Sequence, residues 1–372
     1  MKVLIAVISD LATDMRVQKQ ALLFKEMGCD VTVLGRMRSE IIPLSLPGVK
    51  LKRIHVLIKK GPGMYLLFNM FLFFHLLFRR FGLCVSCDLD TLVPCYLVSR
   101  LFGKKLVYDA HEYFTGQYGL PDRRFKYNVW KTAEKWILPR IRHMITVSDS
   151  IANLYHSEYG VEPVVVRNLA LPVTHLESHA RVTLGARPWE ILVIYQGSGI
   201  NKGRGAEELI DAMAIAEGVR LVIIGSGDII DRVRQRAHRQ GTEKNIIFLP
   251  RMPWEEMMKY TMCCDAGLSL DEDNCINHRY SLPNKLFDYI SAGIPVLASN
   301  LPEVAAVIEK YDCGIILGDV TPAVIADTLT KLKRDRTYLN KLKENAEAAQ
   351  RELSWEKEQV KEQKFLLNVM DL

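Results

Sequence analysis

Ser281-Leu-Pro-Asn-Lys-Leu-Phe-Asp-Tyr-Ile-Ser-Ala-Gly-Ile-Pro295 runs directly into the apolar Val296-Leu-Ala. Ser281 is suited to cap a helix, and Pro283 to its first turn. Leu286, Tyr289 and Ile290 are spaced to face a core. Gly293 and Pro295 then end the helix before an apolar strand. Lys285 and the free amides of the first turn form a positive pocket for an anion such as a diphosphate. Asp288, one turn further in, is placed to accept hydrogen bonds from a sugar or ribose hydroxyl. An anion site and a hydroxyl acceptor on one short helix suggest a nucleotide-sugar.

Outward from this stretch, strand-like apolar runs alternate with amphipathic helical segments, the pattern of parallel α/β sheets. In the first half, strands are expected near 2–8, 30–35, 50–57, 83–87, 105–109, 143–147 and 163–167. Helices are expected near 15–28, 64–81, 92–102, 124–138 and 149–159. Residues 169–189, with Pro172 and Pro188, read as a linker between a domain at 1–168 and a second at 190–352. The second series places strands near 191–195, 220–224, 246–249, 265–270 and 295–298. A helical region at 322–352 precedes a helix at 355–372 that is expected to pack back on the first domain. With 372 residues, two domains is also what length favours.

The apolar strand Ile191-Leu-Val-Ile-Tyr195 leads into Gln196-Gly-Ser-Gly-Ile-Asn-Lys-Gly-Arg-Gly205. Gly197, Gly199 and the glycines after them let backbone amides approach a ligand, while Lys202 and Arg204 supply charge. No Gly-Lys-Ser/Thr follows, so this is not a Walker A loop. Gly225 and Gly227 in Leu221-Val-Ile-Ile-Gly-Ser-Gly-Asp228 repeat the strand-then-glycine theme, although close packing also favours such glycines. The first strand is followed by Ser9-Asp10-Leu-Ala-Thr-Asp14, which lacks G-x-G-x-x-G and argues against a dinucleotide oxidoreductase. Asp109-Ala-His111-Glu112 sets a His beyond an apolar strand and beside carboxylates that can fix its tautomer. Asp90 reads either as part of an acceptor-side wall or as a helix N-cap. Asp271-Glu-Asp-Asn274 resembles part of a calcium loop but lacks its Gly and terminal Glu, and reads as a solvated loop.

Lys plus Arg number 49 and Asp plus Glu 43, a net charge of +6. That mild excess fits an anionic substrate or membrane surface. No dense basic run accompanies it, which argues against nucleic-acid binding. The eight cysteines lie mostly in apolar runs, and Cys84-Val-Ser-Cys87 has no second pair to complete a zinc site. No secretory signal is recognised at the start, so free thiols in a reducing cytosol are expected. The segment 64–81 is apolar nearly all round, yet Tyr65 to Phe78 is only 14 residues, too short to span a bilayer. Three readings stand for it: a fully buried core helix, an interfacial helix with Arg79 and Arg80 at anionic headgroups, or a lipid-acceptor surface.

The chain resembles the retaining glycosyltransferases of family 4. The resemblance rests on Asp109-Ala-His-Glu112, on Thr146-Val-Ser148 with Val166-Arg-Asn168, and on Pro283-Asn-Lys285 with Ala292-Gly-Ile-Pro-Val296. Asp88-Leu-Asp-Thr-Leu92 and Ser281-Leu-Pro-Asn-Lys285 resemble a branch common among bacterial surface-polysaccharide enzymes. The resemblance implies a GT-B fold, two Rossmann-like doubly wound parallel-sheet domains facing a cleft. It implies hexose transfer from a UDP- or GDP-sugar, held mainly by the second domain, to a glycan or lipid-linked acceptor held by the first. No metal or cofactor is implied, because cationic side chains and helix N-termini neutralise the leaving diphosphate. His111 would contact the donor sugar or phosphate, and Lys202, Arg204 and Lys285 would hold the diphosphate. Gly197, Gly199, Gly225, Gly227, Arg251, Tyr280, Pro283, Asn284 and Asp288 would border the donor; Asp10, Arg16, Asp90 and Glu112 would lie on the acceptor side. A cytoplasmic protein, peripheral on the inner face of the membrane, is the implied setting.

Three departures qualify the resemblance. The family's Glu-x7-Glu is replaced by Tyr280 and Asp288. Its Gly-Arg…Lys-Gly becomes Gly197-Ser198…Lys202-Gly-Arg204-Gly, and Asp10, Asp14 and Arg16 stand where a Gly-Gly loop is usual. Two alternatives stay open: a sugar-nucleotide epimerase of the same fold, or a catalytically silent glycan- or membrane-binding subunit. Base, sugar, acceptor, linkage and oligomeric state stay open as well.

Overall fold

A computed structural model describes residues 1–9, 11–12, 14–37, 44–58 and 60–371. The chain divides into two compact units, Met1–Arg167 with Gln359–Leu372, and Asn168–Glu358. Asp10 lies outside the described residues.

In the first unit the apolar runs become parallel strands β1 (Lys2–Ala6), β2 (Asp30–Arg36), β3 (Lys50–Ile54), β4 (Leu83–Cys87), β5 (Lys105–Ala110), β6 (His143–Thr146) and β7 (Val164–Val165). Their order is β3-β2-β1-β4-β5-β6-β7. The connections are α1 (Met15–Glu26), α2 (Pro62–Leu77), α3 (Leu89–Leu101), α4 (Arg124–Ile137) and α5 (Asp149–Tyr159). Right-handed crossovers put α2, α3 and α4 on the same face of the sheet, because each of those connections moves along it in one direction. Strand β3 stops at Ile54, short of the expected 57, and β7 shrinks to two residues, as outer strands gain pairing from one side only.

The second unit holds β8 (Ile191–Gly197), β9 (Val219–Gly225), β10 (Ile246–Leu249), β11 (Ala266–Ser269), β12 (Val296–Ser299) and β13 (Gly314–Leu317). They order as β10-β9-β8-β11-β12-β13. Around them lie α6 (Ala206–Ile215), α7 (Ile230–Arg239), α8 (Trp254–Met262), α9 (Ile276–Tyr280) and α10 (Asn284–Ser291). They continue with α11 (Pro302–Tyr311), α12 (Pro322–Arg334) and α13 (Arg336–Glu352), while α14 (Trp355–Met370) belongs to the first unit from Gln359 on. Strand β13 escaped the sequence reading because it is short and half-exposed at the sheet edge. The expected helical region 322–352 is two helices, broken at Asp335, whose carboxylate accepts the Tyr338 amide at 2.9 Å and caps α13. Residues 169–189 are more than a tether: Leu169, Ala170 and Leu184 are buried in the core of the second unit.

Two further expectations change. Ser281 does not cap α10; Pro283 occupies the N-cap position, and the Ser281 hydroxyl donates to the His278 carbonyl at 3.0 Å, closing α9 instead. Nor is α2 a fully buried helix. Met64, Phe68, Leu72 and Leu76 are buried, whereas Leu66, Met70, Phe71 and Phe74 are exposed. No helix among the described residues is long and apolar enough to cross a membrane.

At the ends of β8 and β9 the backbones touch. A Cβ on Gly225, whose φ is +143°, would lie 1.9 Å from the Gly197 carbonyl oxygen. Gly225→Ala is therefore expected to lower unfolding stability by roughly 2–4 kcal/mol, adding strained backbone to a steric clash. Chemical denaturation checks this; an unchanged midpoint would mean that the two loops are not in contact.

Candidate functional site

In the second unit, the strand order reverses direction between β8 and β11, so the loops leaving those two strands diverge and open a crevice at their carboxyl ends. The β8 loop carries Lys202 and Arg204; the β11 loop carries Asp271; α10 brings Lys285. They meet. Arg204 Nη1 lies 3.1 Å from Asp271 Oδ1, and Lys285 Nζ lies 3.5 Å from each Asp271 oxygen. Lys285 Nζ also sits 4.9 Å from the centre of the Tyr195 ring, a cation–π contact. The Tyr195 hydroxyl donates to the Arg204 carbonyl at 2.7 Å, fixing the glycine loop over the same ring.

Asp271 was read as part of a solvated loop; its side chain is 1 % exposed. Burial alone would push its carboxyl up, but Lys285 and Arg204 outweigh it and hold the group below the usual carboxylate range. Burial pushes the Lys285 ammonium down, Asp271 opposes that and Arg204 adds to it. The Arg204 side chain stays 31 % exposed and Lys285 9 %. Lys202 is exposed, with no ion pair among the described residues. Two cations, Arg204 and Lys285, meet one carboxylate, Asp271, and leave this group with net positive charge.

The glycines divide by cause. Gly227 is demanded by packing, since a Cβ there would meet the Ile200 carbonyl oxygen at 2.0 Å. Gly199 has no such demand, its nearest neighbour being Asn201 Nδ2 at 3.5 Å. Gly203 and Gly205 have φ of +80° and +71°, and a Cβ on Gly205 would also lie 2.5 Å from Leu270. Arg251 follows β10 and is half-buried, as is Tyr280 at the end of α9. Pro283 and Asn284 start α10, and Asn284 Oδ1 accepts from Asn168 Nδ2 at 2.8 Å.

Asp288 is held more tightly than its sequence position suggested. Trp254 Nε1 donates to its Oδ1 at 2.9 Å and Gln196 Nε2 to its Oδ2 at 3.2 Å; Thr261 Oγ1 in turn donates to Gln196 Oε1 at 2.7 Å. Sequence reading missed Gln196, Trp254 and Thr261. Only Gln196, at the end of an apolar strand, carried a signal, as a polar residue in a buried run.

The first unit gathers a second constellation. The His111 amide donates to Asp88 Oδ1 at 2.9 Å; its ring lies 3.5 Å from Asp88 through Nδ1 and 3.3 Å from Asp109 through Nε2. Burial would push the His111 imidazolium down, yet Asp88 and Asp109 hold its pKa well above the ordinary value. Burial pushes the Asp88 carboxyl up to about 7, with Glu112 adding and His111 opposing. Asp88 sits at φ +59°, ψ 169°, a region essentially reserved for glycine, which marks a constrained position. Asp88 takes the N-cap position that Asp90 was offered; Asp90 is inside α3, buried, with Oδ1 unpartnered among the described residues. Burial pushes its carboxyl well up, helped by Asp88 and Glu112. Glu112 is half-buried beside them and accepts from Gln117.

Arg16, expected on the acceptor side, is buried and committed. Its Nη2 and Nε reach Asp109 at 2.6 and 3.1 Å, and Nη1 donates to the Val166 carbonyl at 2.9 Å. Gln20 Nε2 bridges Asp109 Oδ2 at 3.1 Å and Glu362 Oε1 of α14 at 2.7 Å. The chain His111–Asp109–Gln20–Glu362 thus ties the ring to the C-terminal helix. Cys87 Sγ joins His111 and Asp109 in one group whose ligand atoms lie within 4.8 Å of one another. Burial pushes that thiol up to about 12, and Asp109 is ion-paired with Arg16. None of the eight cysteines is in a disulfide.

Burial pushes the Glu362 carboxyl up to about 7 from an ordinary 4.5. A carboxyl raised in the fold contributes stability that is present below about pH 4.5 and lost as pH rises through about 7. Glu362→Gln keeps an oxygen for Gln20 and cannot ionise. Its melting temperature, relative to the native chain, is expected to rise between those pH values by the equivalent of roughly 3 kcal/mol at most. Parallel melting curves across this range would refute the assignment.

Two family models match the chain: "Glycosyltransferase Family 4" over residues 16–169 and "Glycosyl transferases group 1" over residues 181–349. A curated relative, the GDP-mannose-dependent alpha-(1-6)-phosphatidylinositol monomannoside mannosyltransferase of Mycobacterium tuberculosis, is 22% identical over 177 residues. That alignment spans 44% of this chain and 43% of the relative, under half of each. Sucrose-phosphate synthase from Thermosynechococcus elongatus superposes with a TM-score of 0.81 at 12% identity, covering 100% of this chain and 99% of that one. Anabaena HepE, solved with UDP and glucose, gives 0.72 at 14% identity, covering 100% of both chains. WaaG, a glycosyltransferase involved in lipopolysaccharide biosynthesis, gives 0.72 at 15%, covering 94% of this chain and 95% of that one. With two parallel-sheet units of seven and six strands, the fold is GT-B, and the chain belongs to glycosyltransferase family 4.

Proposed function

We propose that the protein is a retaining, metal-independent hexosyltransferase that moves a sugar from a UDP- or GDP-sugar to a glycan or lipid-linked acceptor of a surface polysaccharide. The observation that carries this reading is the meeting of Arg204, from the β8 loop, and Lys285, from α10, on the buried Asp271. Such a site can take the negative charge of a departing diphosphate without an ion, using donors already in place. Lys202, exposed on the same loop, would complete the contact. Asp288, with a donor fixed on each oxygen, would accept from donor hydroxyls.

No carboxylate in this group is free to act as a nucleophile, since Asp271 is ion-paired. Retention would then follow a front-face course, in which the leaving phosphate oxygen takes the acceptor hydroxyl proton as the new glycosidic bond forms on the face the diphosphate leaves. The same pairing makes Asp271 a poor acid–base group, which argues against an epimerase. In the first unit, Asp88 and Glu112 beside His111 would hydrogen-bond the acceptor's hydroxyls, with Asp90 buried behind them. The mannosyltransferase relative is named for GDP-mannose and the HepE structures contain UDP or UDP-glucose, so both bases belong in the test.

A thermal-shift panel of UDP-, GDP-, ADP- and CMP-sugars is expected to give one stabilising nucleotide. Product analysis with that donor, with and without glycan acceptors, separates transfer from epimerisation. Lys202→Ala, at a surface position, is expected to keep the native melting temperature and lower turnover roughly tenfold or more; Arg204→Ala is expected to lower it roughly a hundredfold. Native turnover in both variants would remove the diphosphate site.

A further inference from the structure

α2 is apolar on two opposite sides. Its inner stripe, Met64, Phe68, Leu72 and Leu76, packs with β1, β2, β4 and α3, taking Phe68, Leu72 and Leu76 into the core with Leu4, Leu34, Cys84 and Val98. The outer stripe repeats at the same four-residue spacing: Leu66 is 64% exposed, Met70 47%, Phe74 50% and Phe78 80%. A helix on a sheet needs one apolar side only, so the second requires its own cause.

The neighbouring helices carry the same chemistry. α2, α3 and α4 touch, through the Tyr65–Trp130 and Tyr96–Trp136 ring pairs at 5.5 and 5.6 Å. α3 and its end expose Leu97, Leu101 and Phe102; α4 exposes Phe125, Val129 and Trp136. Exposed cations frame these side chains, Arg79 and Arg80 after α2, Arg100 and Lys104 at the end of α3, and Lys135 on α4. None of the five has an ion-pair partner among the described residues. From 61 to 142, the one exposed acidic residue is Asp122.

We propose that the outward surface of the α2–α4 layer docks on an anionic lipid bilayer. Apolar and aromatic side chains enter the boundary between headgroups and acyl chains, and the arginines and lysines face lipid phosphates. Charge selects this occupant. Two copies of the chain meeting through this face would oppose like charges around the apolar patch, whereas an anionic surface neutralises them. The helix also reaches the acid-rich group of the same unit, since Asn69 Nδ2 donates to the Asp90 carbonyl at 2.8 Å. If that group handles the acceptor, as proposed above, docking favours an acceptor whose sugar stands on a lipid.

The full chain is mixed, without any substrate, with vesicles of phosphatidylcholine alone or with about one-third phosphatidylglycerol, and sedimented. Binding is expected to be roughly tenfold tighter to the anionic vesicles and to weaken as salt is raised. Phe74→Ser with Phe78→Ser, and separately Arg79→Glu with Arg80→Glu, are exposed changes expected to keep the native melting temperature and to lose most of that binding. No sedimentation with anionic vesicles at low salt, or equal sedimentation of both variants, overturns the proposal. So does a concentration-dependent dimer of the native chain that the same variants dissociate, which would give the face to a second copy. Because the readout needs neither donor nor turnover, it stands or falls apart from the glycosyltransferase reading, which the nucleotide panel tests on its own.

Discussion

Asp271 is the charge on which the second unit's site depends. Arg204 comes from the β8 loop and Lys285 from α10, and two cations drawn to the same carboxylate repel each other. At an effective dielectric of about 20, unit charges 4 Å apart interact by roughly 4 kcal/mol, enough to dislodge a lysine from a buried position. The carboxylate lies within 3.5 Å of both and offsets that repulsion. One acid between two bases holds them without neutralising them. The remaining charge is pre-placed, so an arriving polyanion gains from it without first ordering long side chains.

The convergence comes from topology. In each unit the sheet has a central pair of parallel strands whose following loops part in opposite directions: β1 and β4 in the first, β8 and β11 in the second. Asp88 follows β4 and His111 follows β5, while Gly197–Gly205 follows β8 and Asp271 follows β11. The same backbone plan therefore presents two different chemistries, a carboxylate-rich group around one histidine and a cation-rich group around one carboxylate. What differs is only the residues written after the strands.

The plan was legible because parallel strands, buried on both faces, are continuous apolar runs that a sequence shows directly. Lys202, Arg204, Lys285 and Asp288 were legible because they sit beside glycines or at a helix start, where a polar side chain has few structural duties. Asp271 was not, since its companions Glu272, Asp273 and Asn274 are polar and hide the one acid that turns inward. Arg16 misled for the opposite reason. A cation just past the first strand looks available, but its partner Asp109 lies 93 residues away and its carbonyl contact 150 away, separations no local pattern encodes. Ser281 misled by a near tie, with proline able to start α10 and serine free to close α9. The segment 64–81 showed its apolar content but not its two sides, because both stripes are apolar and only the packing of the sheet distinguishes them.

Tyr280 in place of the family's first Glu removes a carboxylate, and the second is shortened to Asp288. A shorter acid reaches less far, and here it is also drawn back, by Trp254 from α8 and Gln196 from β8. Those two bonds place one donor on each carboxylate oxygen. They also spare the side chain any ordering when a ligand arrives, since Thr261 fixes Gln196 in turn. What the aspartate loses in length it recovers in fixed direction. The absent first carboxylate has no such replacement, because Asp271, the nearest candidate in chemistry, is already bound to Arg204 and Lys285. On the reading proposed above, the donor would be held by the Arg204–Lys285 cations at its phosphates and by one fixed acceptor, Asp288, at its hydroxyls.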